Sequence, residues 1–172
     1  MSPIAYHQRL CTKDGRRGLR DQAAAAVAER AIVAAATEEE PSVAKEVVEI
    51  PVFSEAMRQM KVPISAVVRA NGFLFVSGLP PLDPKTGKLI QGDIETQTEA
   101  SIRAVKHALE SAGSSLDKVV KATIYAANAG YFAAINRVYA KHFAHNPPTR
   151  TFVAVGSWPM EFDIEIECIA VA

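Results

Sequence analysis

The sequence is short of cysteine, of charge imbalance, of long apolar runs and of familiar catalytic motifs, and each shortage excludes a class of protein. Its 172 residues include two cysteines, Cys11 and Cys168, near opposite ends. Two thiols so placed make neither a disulfide framework nor a Cys-rich zinc module, so a reducing compartment suits the chain better than a secreted one. The 19 Lys and Arg are cancelled by 19 Asp and Glu. Without clustered cations to displace counterions from phosphates, no nucleic-acid partner is expected. No apolar run approaches the ~20 residues of a membrane-spanning helix, so no membrane partner is expected either. There is no phosphate-cradling glycine loop, no Ser nucleophile elbow, and no His-x-x-His or Cys-x-x-Cys pair on which to hang a metal. His142 and His145, three apart at a helix end, admit two readings: a metal pair, or cations near the last helical carbonyls.

What remains is enough for one folded domain. Hydrophobic residues make up 49% of the chain, and a chain this long buries about 70% of its unfolded surface. The texture is uneven. Residues 1–20 carry Arg9, Lys13, Arg16, Arg17 and Arg20 against a single acid, Asp14, and the stretch from Asp21 to Ala36 is dominated by alanine. High helix propensity with few large side chains predicts a helix with little area to dock, so residues 1–45 read as an extension and 46–172 as the domain. The extension is either an arm of a cytoplasmic protein or an organellar transit peptide. Its few serines and its acids Asp14 and Asp21 favour the arm.

From Glu46 the pattern is regular. Val47, Val48, Ile50 and Val52 make a β-rich start, and Ala66–Ala70, Asn71-Gly72 and Phe73–Val76 read as a tight hairpin. After a loop rich in proline and glycine, Ile94, Thr98, Ile102, Val105, Leu109 and Ala112 recur at helical spacing, with Gly113 as C-cap. Val119–Ala126 is a strand, and Phe132, Ile135, Tyr139 and Phe143 mark a second amphipathic helix that ends at Asn146-Pro147-Pro148. Thr149–Gly156 and Phe162–Val171 close the chain as strands. The order is that of an α+β fold, a mixed sheet covered on one face by two helices. On the last strand Phe162, Ile164, Ile166 and Cys168 alternate with Asp163, Glu165, Glu167, Ile169 and Val171. The second row turns apolar at its end, which predicts that another subunit partly covers that face.

One constellation carries chemistry. Arg150 follows Pro147-Pro148 and starts a strand, where a rigid guanidinium fork is suited to a carboxylate. If the last two strands formed a hairpin turning near Trp158-Pro159, Arg150 would lie beside Glu165 and Glu167 on one face, and a one-residue slip would separate them. An acid there could orient or deprotonate a water. The alternative is an ion pair that merely decorates the sheet.

These residues also carry a resemblance. Phe75-Val76-Ser77-Gly78, Leu82-Asp83-Pro84-Lys85-Thr86-Gly87, Gly92-Asp93-Ile94, Ala112-Gly113-Ser114-Ser115-Leu116-Asp117-Lys118-Val119, Asn136-Arg137-Val138-Tyr139, Pro147-Pro148-Thr149-Arg150 and Ile164-Glu165-Ile166-Glu167 together resemble the reactive intermediate deaminase family, Rid or YjgF, from about Ile50 onward. The resemblance implies a chorismate-mutase-like fold assembled as a homotrimer with ligand clefts between subunits. It implies hydrolysis of 2-imino acids of the 2-iminopropanoate and 2-iminobutanoate type to 2-keto acids and ammonia, without cofactor or metal. In that scheme Arg150 binds the substrate carboxylate and Glu165 positions the attacking water. Backbone near Gly78 and Phe152 meets the imine end, while Ser77 and Asn136 line or support the cleft.

Two positions depart from the family pattern. Ile64, in Val62-Pro63-Ile64-Ser65, stands where the best-known branch has a cleft-edge tyrosine, and Phe152 stands where a small residue is usual. Phe152 either narrows the cleft or turns into the core, and Phe73 and Trp158 are either cleft walls or packing residues. A second class of function uses the same cleft without catalysis, as a trimer that binds small carboxylates or acts as a chaperone-like or regulatory partner. RNA cleavage, attached to some relatives, is opposed by the domain's 12 basic residues against 13 acids.

Overall fold

The structure, a computed structural model, describes residues 44–172; the helix expected between Asp21 and Ala36 lies outside the described residues. The elements run β1 (Glu46–Val48), α1 (Phe53–Gln59), β2 (Val67–Ala70), β3 (Phe73–Leu79), α2 (Ile94–Ser111), β4 (Val119–Ala126), α3 (Phe132–His142), β5 (Thr149–Ala154) and β6 (Ile164–Val171). They form one mixed sheet in the order β1-β2-β3-β6-β4-β5.

The β2–β3 hairpin turns at Asn71 and Gly72, both with positive φ (48° and 75°). That pair of left-handed residues makes the primed turn whose twist matches the flanking strands, and asparagine and glycine tolerate it best. Helix α2 opens with the Asp93 carboxylate accepting from the Thr96 N–H at 2.8 Å, an N-cap that satisfies one orphan donor. Its buried face places Ile102, Val105 and Leu109 on the sheet. Two buried hydroxyls on that helix are paid in hydrogen bonds: Thr98 donates to the Ile94 carbonyl and Ser101 to the Leu79 carbonyl, both at 2.6 Å.

Both long helices lie on one face, over Leu74, Val76, Ile124, Ile164, Ile166, Cys168 and Ala170. The alternation expected on the last strand holds: Ile164, Ile166 and Cys168 are buried, while Glu165, Glu167 and Ile169 are half-buried on the other side. That second face carries a transverse apolar row, because Val47 pairs with Val68, Val68 with Phe75, and Phe75 with Ile169. Val47 and Phe75 are 51% and 44% exposed. In this single chain the row faces away from the helices.

One expectation is corrected. The terminal strands do not form a hairpin: β5 pairs parallel with β4, and β6 pairs antiparallel with both β3 and β4, so β4 lies between β5 and β6. Parallel neighbours need a crossover, and α3 supplies it between β4 and β5. A short helix, α1, also occupies Phe53–Gln59, where the sequence pattern assigned no element. Its seven residues bury Phe53 and Met57, one turn apart, a pattern too short for periodicity to register.

Candidate active site

Because β5 is parallel to β4 and separated from β6, Arg150 and Glu165 are on opposite faces of the sheet within one chain. Arg150 pairs with Ala122 of β4, which pairs with Cys168 of β6, and both of these are buried beneath the helices. The Arg150 guanidinium accordingly lies over the rings of two α3 residues, 4.7 Å from the Tyr139 centroid and 5.8 Å from that of Phe132. Asn136 falls between them on the helix, four residues after Phe132 and three before Tyr139, so it shares their side of α3. Phe152 meets Phe132 edge to face at 5.2 Å. It is half-buried against the helix, so it packs and walls the arginine at once. Arg150, Asn136 and Phe152 are thus brought together as one group.

Glu165, Gly78 and Ile64 form the other. They line a cleft of about 610 Å³ between α1, the loop after β3 and the loop before β6. The position of Glu165 follows from a clamp at the start of its strand. Gln97 of α2 accepts from the Asp163 N–H at 2.8 Å and donates to the Asp163 carboxylate at 3.1 Å. Gln97 is itself buried. Gly78 lies in the irregular stretch between the paired residues Val76 and Leu79 of β3. A Cβ at Gly78 would stand 2.7 Å from both Cδ and Oε1 of Glu165, so the carboxylate occupies space that only glycine leaves free. Ser77 is its half-buried neighbour, with its N–H donating to the Ala66 carbonyl at 3.0 Å.

The two carboxylates of the Ile-Glu-Ile-Glu stretch have different environments. Glu167 accepts from the Tyr125 hydroxyl at 3.0 Å. Glu165 has its pKa raised, by burial first and then by the neighbouring Glu167 charge. A carboxyl poised above its ordinary range can take a proton from water and return it. Neither Arg150 nor Glu165 is paired with an opposite charge among the described residues. Tyr139, beneath the arginine, is buried with its hydroxyl unpartnered, and burial pushes its pKa up to about 12.

The remaining candidates resolve simply. His142 meets the Glu99 carboxylate at 2.8 Å, while His145 is exposed. No three His, Cys, Asp or Glu side chains converge with metal-holding geometry among the described residues. Trp158 lines the cleft and packs on Phe162 at 4.8 Å, whereas Phe73 lies 40% exposed on the strand pairing with Val171. Sequence reasoning missed Tyr125, Phe132 and Tyr139 as supports of the site. The helical spacing of Phe132 and Tyr139 about Asn136 was the available signal for two of them.

Gly78→Ala tests the close approach. The neighbour that must move is the far end of a flexible side chain, so the expected result is a displaced Glu165 carboxylate. A structure of the variant should show the carboxylate swung away from position 78, while the melting temperature shifts by a few degrees or less.

Fold and site together define an α+β protein with an acid-bearing apolar cleft and a separate, aromatic-backed arginine. The chain belongs to the Rid (YjgF) family, since the family model described as Endoribonuclease L-PSP matches residues 55–172. It is 41% identical over 119 residues to a RutC family protein of Pyrococcus horikoshii, covering 69% of this chain and 94% of that one. It is 38% identical over 108 residues to the chloroplastic Reactive Intermediate Deaminase A of Arabidopsis thaliana, covering 63% of this chain and 58% of the relative. Among solved structures, E. coli TdcF with bound serine matches with a TM-score of 0.60 and 33% identity, over 64% of this chain and 89% of that one.

Proposed function

We propose that the protein hydrolyses reactive 2-imino acids to 2-keto acids and ammonia, at sites formed between subunits of a homotrimer. The observation that carries the reading is that Arg150 and Glu165 are both unpaired among the described residues, yet lie on opposite faces of one chain's sheet. A second copy can bring its Arg150 group to the Glu165 cleft of the first. The relative named as a deaminase and the serine held by a structural neighbour support a small ligand with a carboxylate.

In this scheme Arg150 receives the substrate carboxylate as a fork, with its guanidinium held over Tyr139 and Phe132. The imine carbon is already electrophilic, so placing the reactants supplies much of the rate, up to roughly 7–11 kcal/mol. Water adds to that carbon while Glu165 accepts its proton. Glu165 returns the proton to the nitrogen of the tetrahedral adduct, then carries the adduct's hydroxyl proton to the same nitrogen, and the C–N bond breaks as the carbonyl forms and ammonia leaves. Asn136 and Phe152 border the arginine, and Ser77, Gly78 and Ile64 border the acid.

Complementation tests the reading. With substrate below KM, Arg150→Ala and Glu165→Gln are each expected to be nearly inactive. Unfolded and refolded together as a mixture, they should recover activity at about a quarter of the sites, where one chain's intact arginine meets another's intact acid. Recovery no greater than the sum of the two variants alone would sink a site shared between subunits.

The exposed row on the open face supports the trimer. Phe75→Lys places a charge in the middle of Val47, Val68 and Ile169. Light scattering should change from three chains to one; a wild type that is already a single chain would refute the assembly.

Endoribonuclease appears in the description of the family model, but the domain's 12 basic and 13 acidic residues offer no basic footprint for RNA. No helix among the described residues is long and apolar enough to cross a membrane. The cytoplasm is the proposed compartment. A transit-peptide role for residues 1–45 is the alternative, in keeping with the chloroplastic relative.

A further inference from the structure

We infer that the cleft beside Glu165 selects 2-imino acids with large apolar side chains, of the size found in leucine, methionine and phenylalanine, over the methyl-bearing homologue. This rests on the imine-hydrolysis reading of the same site. The cleft holds about 610 Å³, within the range of pockets that enclose drug-sized ligands. A three-carbon imine would leave most of that space to water.

The lining is apolar and adaptable. Three of the chain's four methionines face it, Met57, Met60 and Met160, together with Ile64, Trp158 and Phe162. Trp158 and Phe162 pack on each other at 4.8 Å and make a fixed wall. Met60, Ile64 and Met160 are 52%, 51% and 41% exposed. An apolar ligand would remove this surface from water, and unbranched thioether side chains can adjust to ligands of different shape. Ile64 contributes hydrocarbon and no hydrogen bond at the mouth. The one carboxylate in the lining is Glu165. An imine carbon held at Glu165 would therefore have its side chain directed along the apolar wall, the only part of the substrate that gains by entering it.

The test compares 2-imino acids made in situ by an amino acid oxidase from alanine, leucine, methionine and phenylalanine, with the purified full chain. The expected kcat/KM is at least tenfold higher for the three bulky imines than for the alanine-derived one, because each methylene in an apolar pocket is worth roughly tenfold or more. The double variant Trp158→Ala, Met160→Ala should bring the bulky-to-small ratio toward one, and Trp158→Phe should retain it. If the alanine-derived imine is hydrolysed and the bulky ones no faster, the inference fails while the imine-hydrolysis reading stands. If none is hydrolysed faster than in buffer, the reading fails and the inference with it. If the double variant changes the oligomeric mass and leaves the ratio unchanged, the cleft is a subunit contact and the inference is overturned.

Discussion

Arg150→Ala is expected to lower kcat/KM for 2-imino acids by about 30- to 5,000-fold, the equivalent of roughly 2–5 kcal/mol for losing one side of a charged, hydrogen-bonded pair. The substrate carboxylate is present before, during and after the attack on the imine carbon. Its interaction with the arginine is therefore nearly uniform, and most of the loss should fall on KM. Stability should change little. The guanidinium makes no ion pair among the described residues, and its contact with the Tyr139 ring at 4.7 Å is of a kind worth about 0.5–1 kcal/mol at exposed sites. Arg150→Lys should fall between, since an ammonium keeps the charge and loses the planar fork. Steady-state kinetics on a carboxylate imine, with melting curves beside them, checks all three statements; an unchanged KM would show that Arg150 does not hold the carboxylate.

Glu165→Gln is expected to act on kcat, lowering it by about 10²- to 10⁴-fold, the usual scale of a general acid–base group. Glutamine keeps the volume beside Gly78 while removing the charge and the exchange of a proton. The pH behaviour distinguishes this from a structural role. Burial, and then Glu167, raise the pKa of Glu165, so the wild-type acid limb of kcat/KM should lie above the ordinary carboxyl range. The residual activity of the variant should lack that limb. The stability effect has the opposite sign to the catalytic one. A carboxyl whose folded pKa is raised favours the native state fully while it is protonated, below its unfolded value. That contribution is lost as pH rises from the ordinary glutamate range through the raised folded value. At neutral pH the glutamine variant should therefore melt no lower than wild type. A clearly lower melting temperature would mean that the Glu165 charge is satisfied by contacts other than those described.

Much of the site was legible one residue at a time. The Pro147-Pro148-Thr149-Arg150 segment and the Ile164-Glu165-Ile166-Glu167 alternation named the two charged groups, and Ile64, Gly78 and Glu165 prove to line the same cleft. Which of the two glutamates is free was not legible, because it depends on the Tyr125 hydroxyl that holds Glu167 from the adjacent strand. The need for glycine at position 78 was also hidden. It arises from the Glu165 carboxylate on a strand 87 residues later, in a space that no local pattern describes.

What the sequence determined by itself were the features decided within a few residues: the Asn71-Gly72 turn, the Asp93 cap, the two long amphipathic helices and the inward row of β6. These depend on backbone preferences and on periodicity, which are local. The tertiary structure alone decided that β6 lies between β3 and β4, with β5 beyond β4. Strand order is set by which apolar faces can be buried together and by the parallel crossover through α3, and an alternating strand carries the same pattern beside either neighbour. That order separates Arg150 from Glu165 by a sheet face, and leaves each charge for a ligand or for a second copy of the chain.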